Sequence, residues 1–404
     1  MTTLDFGLIR TPGEILFGTG TVDALPSRIA RTGRRALICV DPVLEQTSAF
    51  QQALETAHRL GVETELVAQV ESELPVELVR NAARNGKDFR PDVIVGYGGG
   101  SSLDLAKLLA LLIVHEAPVP TFYGENKVPG PVLPLIAVPT TAGTGSEVTP
   151  VAVLSDPQRE LKVGVSSPHL IPQVAIVDPA LTLGAPRTVM AHAGADALVH
   201  AVEAATASQP YHAVEDELPV FVGKNALSTV LALEAVTRIT ANLPRAVSEP
   251  EELSPRVGLA FGSLLAGIAF GSAGTHLSHA IQYPVGALTR TSHGLGTGLL
   301  LPFVLTAILP EATTQLATVG RAMGITGTDE HTLANGAVTG IRELLDAIDI
   351  PRSLAEIGLV EADMQRVAQL AGGVSRLADN APVENSPSLI TSIVEAAFSG
   401  EVTS

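Results

Sequence analysis

The sequence predicts an α/β domain with a parallel sheet in the N-terminal half and an all-α domain in the C-terminal half. Three observations predict this fold class: the length of 404 residues, the alternation of short apolar runs with amphipathic stretches before residue 186, and helical periodicity almost throughout the rest. A chain of this length exceeds what one ordinary hydrophobic core organises, so two domains are expected. The boundary is placed at Leu183–Arg187, where Gly and Pro interrupt the pattern, which gives domains of residues 1–186 and 187–404.

In the first half, short apolar runs are predicted to be buried strands, and amphipathic stretches between them to be helices. This alternation favours a parallel sheet covered by helices on both faces. An antiparallel hairpin is expected between Pro150 and Pro172. The predicted strands are Ala36–Val40, Glu63–Ala68, Val93–Gly96, Leu135–Val138 and Val174–Val177, and the predicted helices are Ser48–Leu60, Pro75–Gly86 and Leu103–Val114.

The second half has apolar residues at helical spacing and no convincing strand alternation, which predicts an all-α domain. Its segment Ser208–Lys224 fits no helix and is expected to be a loop over the mouth of a site. The predicted helices are Ala191–Ala207, Ala226–Ala241, Ser254–Tyr283, Gly296–Leu309, Thr314–Met323, Thr332–Leu345 and Leu389–Phe398.

Composition excludes several classes of function. The formal net charge is −17, from 42 acidic and 25 basic residues, and such a surface repels phosphate backbones, so nucleic acid is not an expected partner. Cys39 alone cannot form an intramolecular disulfide, and the N-terminus does not resemble a signal peptide. The longest apolar runs, such as residues 108–114, are too short to span a membrane. A soluble, cytoplasmic protein is therefore expected.

A glycine run, Gly98–Ser102, follows the predicted strand Val93–Gly96 and precedes a helix. Backbone N–H groups at a helix N-terminus suit a pyrophosphate, and glycine lets a ligand approach closely. The run differs from the GxGxxG fingerprint because Ser101 occupies the position of the third glycine. The run Gly98–Ser102 is therefore a candidate phosphate-binding loop, and an unliganded turn is the alternative.

A second loop, Pro139–Thr149, also follows a predicted strand, and its hydroxyl groups could line the same ligand at the carboxyl edge of the sheet. A solvent-facing turn is the alternative. Asp41 directly follows another strand, where a carboxylate can accept hydrogen bonds from a ribose and would repel a 2′-phosphate. This position favours NAD over NADP, although Asp41 could equally cap a turn before Pro42.

Histidines and one aspartate recur at helical spacing in the second half. Asp196 and His200 are four residues apart, and His276, His279 and Tyr283 share another helical face, with Pro284 expected to end or kink that helix. His293 opens a further helix. One carboxylate with three imidazoles suits a divalent transition metal, Fe²⁺ or Zn²⁺. The alternative is that these histidines are hydrogen-bonded core residues.

Four stretches together resemble the iron-containing (group III) alcohol dehydrogenase family: GGGSSLDLAK (98–107), PTTAGTGSEVT (139–149), DALVHAVEA (196–204) and HAIQYPVGALTRTSHG (279–294). The resemblance implies a Rossmann-like dinucleotide-binding domain followed by an all-helical metal- and substrate-binding domain, a fold shared with dehydroquinate synthase. It also implies roles for residues at matching positions. The metal ligands would be Asp196, His200, His279 and His293, and the NAD-binding residues Asp41, Gly98, Gly99, Ser101, Thr140, Thr141, Thr144 and Lys162.

The implied activity is NAD-linked alcohol dehydrogenation or the reverse reduction of an aldehyde or ketone. A divalent ion would stabilise the alkoxide from which hydride passes to C4 of the nicotinamide. Many members carry a second histidine where this sequence has Tyr283, so His276 and Tyr283 are the candidate catalytic residues for orienting substrate or relaying a proton. The family also implies a homodimer or larger homo-oligomer.

Three alternative activities remain. The pair Tyr283–Pro284 and His276 partly resemble the hydroxyacid–oxoacid transhydrogenase branch, in which NAD stays bound and shuttles hydride between two substrates. A metal-independent maleylacetate-type reductase is a second alternative, which the complete ligand set disfavours. A cyclase similar to dehydroquinate synthase is a third, but it needs a basic pocket, and few Lys or Arg residues lie around the histidines.

Overall fold

The computed structural model describes residues 6–68, 70, 73–159, 161–210, 212 and 217–401. Contacts group the chain into two units, one of residues 10–185 and one that joins the residues before Arg10 to those from Pro186 onward. Leu8 illustrates why its segment belongs with the helical unit: its N–H lies 3.4 Å from Oδ1 of Asn225, and its carbonyl accepts a hydrogen bond from Ser272. The expected domain limits of 1–186 and 187–404 stay a prediction.

Six strands of the first unit form a parallel sheet in the order β1-β9-β6-β4-β2-β3. All five predicted strands belong to it, and β1 was not predicted. The strands are β1 (Glu14–Phe17), β2 (Arg35–Val40), β3 (Glu63–Val67), β4 (Val93–Gly98), β5 (Gly124–Glu125), β6 (Leu135–Pro139), β7 (Val151–Leu154), β8 (Val163–Ser166) and β9 (Val174–Val177).

The register of the central strands aligns their carboxyl ends. Val40 of β2 pairs with Tyr97 of β4, and Gly98 of β4 pairs with Pro139 of β6. The segments that follow these three strands therefore leave the sheet at one edge, which is where open α/β sheets bind ligands. The predicted hairpin is also confirmed, because β7 and β8 pair antiparallel within a separate three-stranded sheet, β5-β8-β7.

Helices cover both faces of the six-stranded sheet, as predicted. Alternate residues of β2 point to opposite faces: Leu37 joins a buried cluster with Leu108, and Ile38 joins a second cluster with Phe50. The helices of this unit are α1 (Leu25–Thr32), α2 (Pro42–Glu45), α3 (Ser48–Arg59), α4 (Val76–Phe89) and α5 (Gly100–Val114), with 3-10 turns at Thr21–Ala24, Val119–Phe122, Ser146–Val148, Pro168–Leu170 and Pro179–Gly184.

Helices make up the second unit, and its described residues contain no strand, as the sequence predicts. They are α6 (Arg187–Thr206), α7 (Ala226–Ser248), α8 (Leu253–Ala273), α9 (Leu277–Thr289), α10 (His293–Ala322), α11 (Glu330–Ala347), α12 (Met364–Gly372), α13 (Ser375–Ala378) and α14 (Pro387–Ser399), with a 3-10 turn at Glu361–Asp363. The sequence did not predict α12 or α13. Of the predicted loop at 208–224, residues 211 and 213–216 lie outside the described residues.

The structure corrects two helix boundaries. The single helix predicted over Ser254–Tyr283 is two helices, because Gly274 adopts a φ of 77° and its N–H bonds the carbonyl of Phe270, which ends α8. The next helix does not end at Pro284 but continues to Thr289. The two helices predicted at Gly296–Leu309 and Thr314–Met323 are confirmed within α10, where non-helical dihedral angles at Ala312 mark a kink between them.

Two helices, α8 and α10, are long and apolar enough to cross a membrane by length and composition. In both, 67% of the apolar window is buried inside the protein. A helix that is apolar on all sides and buried in this way is typical of the core of a globular protein. We therefore interpret both as core helices.

Candidate functional site

Three helices of the second unit bring together one carboxylate and three imidazoles. Helix α6 carries Asp196 and His200 one turn apart, α9 carries His279, and α10 begins at His293. Oδ1 of Asp196 lies 3.8 Å from Nε2 of His279 and 3.8 Å from Nε2 of His293. The other oxygen, Oδ2, lies 3.9 Å from Nε2 of His200. The ligand atoms of Asp196, His279 and His293 all lie within 4.8 Å of one another.

These side chains fit a divalent metal ion. Two atoms that are each about 2.1 Å from one ion can be up to about 4.2 Å apart, so distances of 3.8 and 3.9 Å allow a shared ion. Nε2 of His279 is buried and has no hydrogen-bond partner among the described residues. A buried ring nitrogen that faces a carboxylate oxygen without a hydrogen bond is what an imidazole ligand presents to a cation.

Asp196 is 2% exposed, and its environment keeps it ionised. Burial raises the pKa of its carboxyl, but the imidazoles of His200, His293 and His279 and a hydrogen bond from Thr297 lower it further, so the net direction is downward. Oγ1 of Thr297 lies 2.9 Å from Oδ1 and donates that hydrogen bond. The carboxylate is thus charged and oriented, as a metal ligand must be.

A glycine allows His293 to reach this site. A Cβ atom on Gly294 would lie 2.1 Å from the carbonyl oxygen of His192 and 2.9 Å from Cβ of Asp196, so only glycine lets the start of α10 lie this close to α6. Nδ1 of His192 is in turn 2.8 Å from Oγ of Ser292, the residue before α10. His192 therefore links α6 to the start of α10 and is not part of the group of ligand atoms.

In the first unit, the two predicted nucleotide loops lie side by side at the carboxyl edge of the sheet. Gly98 has a φ of 154°, and a Cβ atom there would lie 2.4 Å from Oγ of Ser102. A Cβ atom on Gly99 would lie 3.7 Å from Thr141, and one on Gly100 would lie 2.7 Å from Thr144. The glycines thus make room for the threonine loop.

The N-terminus of α5 is free of side-chain caps within the described residues, and no acidic residue lies in its first turn. Such a helix end presents backbone N–H groups to an anion. Asp41 lies next to this loop, since its Cβ would be 3.6 Å from a Cβ on Gly98. Oδ1 of Asp41 accepts a hydrogen bond from the N–H of Val43 at 3.0 Å and so caps α2. Asp41 therefore forms the cap that the sequence allowed as the alternative to ribose binding, and it does so next to the glycine loop.

Comparisons with known proteins agree with this arrangement. The model of the iron-containing alcohol dehydrogenase family matches residues 12–179, and the model of the C-terminal part of the Fe-containing alcohol dehydrogenase family matches residues 190–398. The chain belongs to the iron-containing alcohol dehydrogenase family. Its predicted family and its predicted fold class are therefore confirmed.

Individual relatives cover nearly the whole chain. Long-chain-alcohol dehydrogenase 1 of Geobacillus thermodenitrificans (strain NG80-2) is 33% identical over 95% of this chain and 95% of its own. NAD-dependent methanol dehydrogenase of Bacillus methanolicus is 30% identical over 89% of this chain and 92% of its own. Among solved structures, a 1,3-propanediol oxidoreductase superposes with a TM-score of 0.90 at 30% identity and covers 97% of this chain and 100% of its own.

The comparisons confirm the predicted enzyme class: this iron-containing alcohol dehydrogenase homologue is an alcohol-oxidising oxidoreductase that acts on small molecules. They support neither the transhydrogenase nor the maleylacetate-type reductase, two of the three alternatives left open by the sequence.

The two predicted catalytic residues have different surroundings. His276 is fully buried: its Nδ1 accepts a hydrogen bond from the N–H of Leu277 at 2.8 Å, and its Nε2 lies 2.9 Å from Oγ1 of Thr206. Burial lowers the pKa of this imidazole, against the attraction of Glu203. Tyr283 is 8% exposed, and its ring centroid lies 6.3 Å from that of His293. Of the two, Tyr283 adjoins a predicted metal ligand directly.

The sequence missed Glu203, a fully buried carboxylate on α6. It accepts hydrogen bonds from Nδ1 of His279 and from the backbone N–H groups of His276 and Ser278, each at 2.7 Å. Burial raises the pKa of Glu203, but the two nearby imidazoles and these hydrogen bonds lower it further, so it lies well below its usual range. The residue stood in the quoted stretch DALVHAVEA, on the same helical face as Asp196.

A second missed group holds the threonine loop against α5. Lys107 is fully buried, and its Nζ donates hydrogen bonds to the carbonyl oxygens of Thr149 at 2.9 Å and Val151 at 2.8 Å. One turn earlier, Asp104 accepts hydrogen bonds from Oγ of Ser146 at 2.6 Å and from the N–H of Val153 at 3.0 Å. These contacts join the two glycine-containing motifs of the first unit.

Burial shifts the ionisation of this group. It lowers the pKa of Lys107 to about 8, against the attraction of Asp104 and Glu147, and it raises the pKa of Glu147 to about 7. Lys162, the predicted basic residue near the cofactor, is 12% exposed and pairs with Glu73, with 2.5 Å between Nζ and Oε2. The structure therefore gives Lys162 an acidic partner in its own unit.

Proposed function

We propose that this protein is an NAD-dependent, iron-containing alcohol dehydrogenase that interconverts an alcohol with an aldehyde or ketone. The observation that carries the proposal is the buried Nε2 of His279, which has no hydrogen-bond partner among the described residues and lies 3.8 Å from Oδ1 of Asp196. Asp196, His200, His279 and His293 would hold the metal, and Fe²⁺ is the ion that we propose. Zn²⁺ is the competing ion, since the same ligands suit both.

Each cofactor supplies one part of the chemistry. A bound divalent ion acts as a Lewis acid toward the oxygen of the alcohol, and NAD⁺ accepts the hydride at C4 of its nicotinamide. The task of the protein is to hold these groups, to orient the alcohol and to take up the proton that the alcohol releases.

We propose that the first unit binds NAD through its two loops. The backbone of Gly98, Gly99 and Ser101 would contact the pyrophosphate at the N-terminus of α5. Thr140, Thr141 and Thr144 would contact the nicotinamide side, and Asp41 would accept hydrogen bonds from the adenosine ribose. Support comes from the uncapped start of α5 and from the closeness of Asp41 to Gly98. Lys162 would lie near the cofactor and contribute positive charge.

We propose that Tyr283 lines the alcohol pocket and donates a hydrogen bond from its phenol, at the position where many family members have a histidine. Its closeness to the ring of His293 supports this role. His276 is the weaker candidate for a proton relay, because both of its ring nitrogens already have hydrogen-bond partners in a fully buried position. We assign it the support of the start of α9.

We further propose that the enzyme is cytoplasmic and forms a homodimer or larger homo-oligomer. The single cysteine, Cys39, is buried and free, which fits a reducing compartment. Light scattering coupled to size exclusion would measure the oligomeric state, and a monomer at micromolar concentration would contradict it.

The decisive experiment measures NADH absorbance with metal-stripped protein, with and without added Fe²⁺ or Zn²⁺, over a panel of alcohols and hydroxyacids. We expect reduction of free NAD⁺ that depends on the metal and is faster with Fe²⁺. Activity that is indifferent to metal would overturn the ligand assignment. Metal-dependent exchange of hydride between a hydroxyacid and an oxoacid, without release of NADH, would instead identify a transhydrogenase.

A further inference from the structure

Glu203 lies on the same face of α6 as the proposed ligands Asp196 and His200, seven residues after the first and three after the second. Its side chain is 0% exposed, and both carboxylate oxygens nevertheless accept hydrogen bonds. Oε2 accepts hydrogen bonds from Nδ1 of His279 and from the N–H of His276, and Oε1 accepts one from the N–H of Ser278. A buried carboxylate with three donors is fixed in one orientation.

The contact with His279 determines where the proton of that ring resides. An ionised carboxylate can only accept hydrogen bonds, so at 2.7 Å from Oε2 the nitrogen Nδ1 must carry the hydrogen. A neutral imidazole has a single N–H, which leaves a lone pair on Nε2, the atom that faces Asp196. The contact therefore presents the correct nitrogen to a cation.

The other two hydrogen bonds fix the helix that carries this ring. The N–H groups of His276 and Ser278 lie at the start of α9 (Leu277–Thr289), where the helix has no carbonyl group of its own to accept their hydrogen bonds. A negative charge there also interacts favourably with the helix dipole. Glu203 thus holds both the backbone before His279 and the ring itself.

We propose that Glu203 is the positioning residue of the metal centre, which holds His279 in the tautomer and orientation that a divalent cation requires. This inference rests on the proposed metal site. Partners of this kind typically change metal affinity about 10–100-fold when they are removed.

The test compares wild-type protein with Glu203→Gln after metal removal, by titration with Co²⁺ and by its visible absorption spectrum. We expect the affinity for Co²⁺ to fall about 10–100-fold and the spectrum to change, because a glutamine cannot accept all three hydrogen bonds. The matched control is Thr206→Val, one turn further along α6, which removes a buried hydroxyl that contacts His276 and not His279. Its Co²⁺ affinity should stay within about twofold of wild type, since no ligand loses a partner.

A second measurement needs neither metal nor a stable variant. ¹⁵N NMR of metal-free wild-type protein reports which nitrogen of His279 is protonated, and protonation of Nδ1 alone is expected. Protonation of Nε2 instead would overturn the proposal. So would a folded Glu203→Gln protein with unchanged affinity and spectrum. Glu203→Asp, which keeps the charge, should regain part of the affinity. Wild-type protein that binds no Co²⁺ would overturn the metal site itself, whereas normal binding in both proteins would overturn only the role of Glu203.

Discussion

Nε2 of His279 and Oδ1 of Asp196 lie 3.8 Å apart, with side chains that are only 6% and 3% exposed. Nε2 has no hydrogen-bond partner among the described residues, and Nδ1 of the same ring faces Glu203 instead. A lone pair that faces a carboxylate in a buried site is unfavourable unless a positive charge lies close to both. The folded helical unit should therefore gain stability when a cation binds.

Metal binding is expected to raise the melting temperature of the wild-type protein and to leave that of His279→Ala nearly unchanged. At a free Fe²⁺ concentration of 100 times the dissociation constant, the stabilisation is about 2.7 kcal/mol. Loss of the His279 ligand should weaken Fe²⁺ binding by more than about 100-fold, because removing only the hydrogen-bond partner of a ligand already costs about 10–100-fold. It should also abolish metal-dependent alcohol oxidation. Calorimetry of the metal-stripped proteins with and without Fe²⁺ measures the shift.

His331→Ala is the matched control for this experiment, because His331 is exposed on α11 and is not among the ligands. It should show the wild-type shift. A His279→Ala protein that is stabilised as strongly as wild type, or that keeps full activity, would contradict the ligand assignment.

Tyr283→Phe tests whether the phenol transfers a proton or only donates a hydrogen bond to the substrate. Tyr283 is 8% exposed, and its ring lies 6.3 Å from that of His293. If it lines the pocket, kcat/KM for the alcohol should fall by about tenfold or less, the cost of one hydrogen bond, and the pH–rate profile should keep its shape. Loss of one limb of the profile would instead establish an acid–base role.

The sequence predicted the sheet well because its strands are short apolar runs between clear breaks. Val93–Gly98 is buried along its whole length, and a central strand of a parallel sheet is recognisable in the sequence as a continuous apolar run. The break between α8 and α9 was missed, because the helical spacing of apolar residues continues through Gly274, where a φ of 77° ends α8. A single glycine in an apolar stretch does not reveal which conformation it adopts.

The sequence predicted the part of the candidate site whose residues lie at helical spacing along a single helix. Asp196 and His200 share a face of α6 by sequence alone, and the same spacing places Glu203 there. The role of Glu203 depends on the approach of α9, and the role of Lys107 on carbonyl groups more than 40 residues away, with sequence separations of 42 and 44. These are tertiary contacts between residues far apart in the sequence, so no local sequence pattern predicts them.

Gly98→Ala should weaken the binding of NAD⁺. The backbone there has a φ of 154°, and a Cβ atom would lie 2.4 Å from Oγ of Ser102, so the loop must shift. Backbone strain of about 1–3 kcal/mol corresponds to a rise of about 5-fold to 160-fold in the KM for NAD⁺. Steady-state kinetics with each substrate varied in turn would show this rise with little change in the KM for the alcohol.

The control is Gly130→Ala, since a Cβ atom at Gly130 would meet no atom within 4 Å. Its KM for NAD⁺ should match that of the wild type. An unchanged KM in Gly98→Ala would argue against pyrophosphate binding at this loop.

Glu147 makes the stability of the α/β unit depend on pH. Burial raises its pKa from 4.5 to about 7, so the folded state binds more protons than the unfolded state between these values. The stabilisation by the protonated form is complete below pH 4.5 and is lost as the pH rises through 7. Glu147→Gln, which resembles the protonated acid, should lie within about 1 kcal/mol of wild type at pH 5 and exceed its free energy of unfolding by about 3 kcal/mol at pH 7.5.

Urea unfolding of both proteins at several pH values between 5 and 7.5 measures this difference, and comparing them cancels the titrating groups that do not interact with Glu147. Lys107 is coupled to Glu147, but its pKa of about 8 places most of its own effect at higher pH, where stability rises as the pH increases. A difference between the two proteins that stays constant over the range would show that Glu147 titrates near its ordinary value. In that case the contacts that Lys107 makes with Thr149 and Val151 would hold the threonine loop without any contribution from a protonated Glu147.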